Sequence, residues 1–100
     1  MAFKFLDKAL KLALKYNLKI GIAGVYAEMA ANYNELGNEN SSILYLLNAI
    51  KIFTALNKPN DFELAVSKLN LGNTYVNKGK FNFARKLFLE GQKTFKNVGD

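Results

Sequence analysis

The chain is 100 residues long, half of them hydrophobic, with one proline, no cysteine, no histidine and a formal net charge of +6. Without cysteine or histidine it can form within itself no disulfide, no thiolate- or imidazole-bound metal site and no cysteine or serine–histidine nucleophile. No apolar run approaches the roughly 18 to 20 residues of a membrane span, and the length is that of one domain with a thin core. The first predicted element, residues 2–17, carries lysines at 4, 8, 11 and 15, with Lys19 just beyond, and apolar side chains over most of the remainder. By itself this is the pattern of a membrane-surface helix. The same lysines break any uninterrupted apolar core, so no secretion signal is read here and a cytoplasmic location is expected.

Apolar residues then recur at three and four through predicted helices 20–36, 41–56, 61–78 and 81–96, and no stretch alternates as a strand does. Gly37 and Gly79 stand where left-handed caps end helices. The start at 61 carries a helix-entry signature: Pro59 just outside, Asn60 as N-cap and Glu63 three residues on to complete a capping box. Charge is segregated along these elements, net +4 over 1–20, −2 over 21–77 and +4 over 78–100. A phosphate-tracking groove needs a continuous basic stripe, so no nucleic-acid partner is expected.

The chain aligns with itself at an offset of 42. Ala23 falls on Ala65, Met29 on Leu71, Ala30 on Gly72, Tyr33 on Tyr75, Gly37 on Gly79, Ser42 on Ala84, Leu46 on Phe88 and Ala49 on Gly91. At an offset of 40, Leu6 falls on Leu46, Ala9 on Ala49 and Lys11 on Lys51, which makes the opening stretch a copy of a second helix without its first. Glycine inside a helix costs about 1 kcal/mol relative to alanine, so Gly72 and Gly91 imply close helix–helix approach. The stretch "LNLGNTYVNKGKFNFARKLFLEG" at 69–91, through Leu71, Gly72, Tyr75, Gly79, Phe81, Ala84, Phe88 and Gly91, resembles the tetratricopeptide repeat (TPR), in the 40-to-42-residue-period subclass. The copy at 23–56 is looser, with Glu39 where that pattern has an aromatic residue.

The resemblance implies an all-α fold, a right-handed α-solenoid of antiparallel helix pairs, divided as half repeat 1–22, repeat 23–64 and repeat 65–100. It implies a non-catalytic scaffold that binds a protein or peptide, without cofactor or metal, in a concave groove lined by the first helix of each repeat. The groove positions fall on Ala27, Glu28, Ala31, Asn34 and Glu35, and on Val66, Leu69, Asn70, Asn73, Val76 and Asn77. Asn70, Asn73 and Asn77 are spaced to share one helix face, where they either bond a peptide backbone or face solvent. Glu28 and Glu35 disfavour an acidic peptide and, with no histidine near, do not form a general acid–base pair. Tyr33, Tyr75, Leu71, Phe81, Ala84 and Phe88 read as core.

Two repeats and a half are few for an array whose units cannot bury their faces alone. Phe3, Leu6, Leu10 and Leu14 at one end and Phe83, Leu87 and Phe95 at the other read as an apolar surplus. The chain is therefore expected to be part of a longer array or to associate with itself through its end helices. The alternative readings are a peptide-sensing regulatory domain of a larger signalling protein and membrane-surface binding through 3–19.

Overall fold

A computed structural model describes residues 2–15, 18–56 and 62–99, with side chains at 4–15, 18–56 and 62–94. Within them the chain forms five helices and no strand: α1 (Ala2–Lys15), α2 (Lys19–Glu35), α3 (Glu39–Leu56), α4 (Phe62–Asn77) and α5 (Phe81–Gly99). Pro59, Asn60 and the predicted box with Glu63, like Tyr16, lie outside or depend on residues outside this set.

α3 starts two residues before the predicted 41, and the reason is a cap that the sequence reading passed over. The Ser41 amide donates to Asn38 Oδ1 at 3.2 Å, and Glu39 places a carboxylate in the first turn, where the helix dipole favours it. α5 runs to Gly99, past the predicted 96. The two glycine caps have the same geometry 42 residues apart. Gly37 has φ +80° and Gly79 φ +76°. Asn38 N–H donates to the Tyr33 carbonyl and Lys80 N–H to the Tyr75 carbonyl, both at 2.8 Å. This six-to-one bond satisfies a carbonyl that would otherwise be orphaned at the helix end.

Each helix packs on the next. The α2–α3 and α4–α5 pairs are the most extensive, α3–α4 joins them, α1 lies on α2, and α2 touches α4 sparingly. Two clusters form the interior. One holds Ala23, Ala49 and Phe53; the other holds Ala30, Leu46 and Leu71 and binds the two pairs together, with Ile43, Ile50, Tyr75 and Leu87 packed against it. Burial follows the internal alignment: Ala23 and Ala65, Met29 and Leu71, and Ser42 and Ala84 are all buried. Phe81 departs from its predicted core role. As the first residue of α5 it has no element over it and is 65% exposed.

Side-chain volume is exchanged between the two helix pairs. A methyl on Gly72 would lie 2.7 Å from Phe88 Cε1, whereas the first pair sets Ala30 with the smaller Leu46. A methyl on Gly91 would lie 2.7 Å from Leu69 Cδ2, whereas the first pair has alanine at both equivalent positions, Ala49 and Ala27. Where one helix enlarges, the other gives up its Cβ, as close packing demands.

On the outer side of α2–α3, Tyr45 lies between Tyr33, stacked at 5.5 Å, and Tyr26, tilted at 5.6 Å. Burial, then the neighbouring Tyr33 and Tyr26 phenols, raise the Tyr45 hydroxyl above its ordinary value of 10.0. The folded chain therefore holds this proton more tightly than the unfolded chain. The resulting stability is complete below pH 10 and is lost as pH rises through the folded value. In an alkaline titration followed at 295 nm, Tyr45 is expected to ionise as a late step above its ordinary value of 10.0, and Tyr45→Phe removes that step. A late step that survives Tyr45→Phe refutes the assignment.

Candidate functional site

α2 and α4 run side by side, and their seam holds two clefts, one at a polar end and one at an apolar end. The polar end, about 170 Å³, is lined by Ala31, Asn34 and Glu35 of α2, Asn70, Asn73 and Thr74 of α4, and Ser42 and Leu46 of α3 beneath. The apolar end, about 270 Å³, is lined by Gly24, Ala27, Phe53, Phe62, Glu63, Val66 and Ser67. Small-molecule sites usually occupy about 300–1,000 Å³. Each end is on the scale of a side-chain pocket.

The floor of the polar end is hydrogen-bonded. Thr74 Oγ1 donates to the Asn70 carbonyl at 3.1 Å, which uses its one hydrogen and leaves the buried Ser42 hydroxyl to donate to Thr74 Oγ1 at 3.4 Å. Asn34 is different: its Oδ1 is buried with no hydrogen-bond partner among the described residues. A buried acceptor left unpaired costs about 1–3 kcal/mol, so a donor entering here recovers that cost.

Of the groove positions implied by resemblance, Ala31, Asn34, Glu35, Asn70 and Asn73 meet at the polar end and Ala27 and Val66 at the apolar end. Glu28 lies toward α1, with Phe5, Leu6, Ala31 and Asn32 around a third cleft. Leu69 does not line these clefts, because its side chain reaches toward α5 to lie over Gly91, where a Cβ would collide with it. Asn77, the last residue of α4, is exposed but lines neither end of the groove. Gly24 and Phe62 were missed by the sequence reading, although Gly24 falls on Val66 at the 42-residue offset and Phe62 lies one turn before it.

The electrostatics of the groove oppose those of the whole chain. Its two clefts contain Glu35 and Glu63 and no lysine or arginine, in a chain of net charge +6. Lys68, on α4, pairs with Glu90 of α5 at 3.3 Å, and Lys78 donates to Asn40 Oδ1 between the two turns.

The ends differ from the predicted surplus. Leu6 is 4% exposed and belongs to the core, as its alignment with buried Leu46 already implied. Leu87 is half-buried against the central cluster. Leu10 is also half-buried, while Leu14 and Phe83 stand exposed, Phe83 stacked on Tyr75 at 5.4 Å. The side chains of Phe3 and Phe95 lie outside the described set. Exposed Phe5 and Leu12 add to the α1 surface. On α5, by contrast, exposed Arg85 and Gln92 occupy the positions that in α3 hold Ile43 and Ile50 against the core.

No protein-family model, no curated protein and no solved structure matches this chain. Among the described residues no group of acids is placed to hold a metal ion, and no helix is long and apolar enough to cross a membrane.

Proposed function

We propose that the chain is a non-catalytic scaffold of TPR type, a right-handed α-solenoid of antiparallel helix pairs that binds a peptide or protein segment along the α2–α4 seam. The observation that carries this reading is the pair of clefts along the α2–α4 seam, one lined by asparagines and one apolar. Exposed amides offer both donors and acceptors to a peptide backbone, and a side-chain-sized apolar pocket next to them offers an anchor. Two well-packed helix pairs joined chiefly through α3–α4, with only a sparse α2–α4 contact along the seam, also favour the regulatory variant of this reading, because a ligand seated in the seam bears on the angle between the pairs. Membrane binding through α1 is disfavoured, since Leu6 and Ala13 at the centre of its apolar arc are buried.

The test is to pan a displayed random-peptide library on the protein and measure the selected peptides by fluorescence polarisation. A methyl at Gly24 meets nothing within 4 Å, so Gly24→Leu fills the apolar end while replacing a helix glycine with a better helix former. Selected peptides are expected to bind Gly24→Leu at least tenfold more weakly than wild type and to bind Leu44→Ala, on the outer face of α3, unchanged. Binders indifferent to Gly24→Leu, or no enrichment at all, would falsify the groove reading.

A further inference from the structure

Resting on that reading, we infer that the groove selects an extended peptide bearing one apolar side chain and, about three residues away, a lysine or arginine. Three features converge on the cation. The two clefts along the seam contain acids and no base. Asn34 Oδ1, at the polar end, is a buried acceptor without a donor. The other groups around it, the exposed Glu35 carboxylate and the Asn70 and Asn73 amides, include further acceptors. An ammonium brings three donors and no acceptor, a guanidinium five. Either supplies what Asn34 lacks and opposes the charge of Glu35 without a like-charge penalty.

The spacing comes from the helices. Ala27 and Val66 at the apolar end lie seven residues before Asn34 and Asn73 at the polar end, one pair on each helix. Seven residues of α-helix rise about 10.5 Å, and a peptide in the extended polyproline II conformation, with three residues per turn and about 3.1 Å per residue, nearly spans this in three residues while keeping the two side chains on one face. An apolar residue seated between Gly24, Ala27 and Val66 therefore places the third residue along in either direction beside Asn34. An acidic residue at that position meets Glu35 instead.

An array of immobilised octapeptides tests this. Leucine is fixed, the residue three positions before or after it is lysine, arginine, glutamine or glutamate, and the remaining positions are equimolar alanine, serine, glycine and asparagine. Labelled protein is expected to bind the lysine and arginine sets at least tenfold above the glutamate set, with the preference shrinking as salt rises. Glu35→Lys, at an exposed position, should invert the order while leaving the helical circular dichroism unchanged. Equal or stronger binding of glutamine or glutamate peptides that is still lost in Gly24→Leu would overturn the cation inference and leave the groove intact. No binding by any set would overturn both.

Discussion

Replacing Gly72 with alanine is expected to destabilise the fold by about 1 kcal/mol net, although alanine is the better helix former by about the same amount. The added methyl lies 2.7 Å from Phe88 Cε1 and 3.2 Å from its Cζ, so the stiff ring must rotate away from α4. Phe88→Leu alone removes packing and leaves a gap, at about 1–2 kcal/mol. The double variant recreates the Ala30 and Leu46 combination of the first helix pair. The two changes should therefore couple favourably by 1 kcal/mol or more, read from urea midpoints at 222 nm. Additive losses would show that the exchange of volume between the pairs is accidental. Leu69 and Gly91 offer the same test at the second exchange site, with Gly91→Ala made in the Leu69→Ala background.

The second large effect concerns α1. Leu6 and Ala13 face the core. At 100° per residue, Leu12 and Leu14 flank that line on either side, 58% and 55% exposed, with Phe5 at 74% beside Leu12. This apolar surface is wider than α2 alone covers, while on α5 exposed Phe83 and Leu89 are accompanied by Arg85 and Gln92 at the equivalents of the packed Ile43 and Ile50. Association through α1, one of the two ends the sequence suggested, is therefore expected. Light scattering should show mass rising with concentration across the micromolar range. Leu12→Glu with Leu14→Glu should raise the dissociation constant about a hundredfold or more, roughly 2.7 kcal/mol, because each carboxylate must be desolvated in an apolar contact. Both sites are surface positions, so folding stability should change by less than about 0.5 kcal/mol each. A wild-type chain that stays monomeric at 100 µM would remove self-association and leave α1 to another partner.

The alignment at 42 residues and the spacing of apolar positions made the five helices, both glycine caps and the small-on-large packing legible in the sequence. These features are local or periodic: a helix face, a left-handed cap and a missing Cβ each leave a mark within a few residues of sequence. Asn38 was equally legible as a cap and was passed over. What only the tertiary structure decided is which flank of each apolar arc finds a neighbour. Leu6 is covered and Leu12 is not, Leu87 is covered and Phe81 is not, and Leu69 leaves the groove for the space over Gly91. The same holds for the site. Asn34 is one of thirteen asparagines in the chain, and its unpaired oxygen exists only because α2, α3 and α4 close around it. Burial and hydrogen-bond satisfaction are sums over neighbours distant in sequence, and a periodic pattern read along one helix does not contain them.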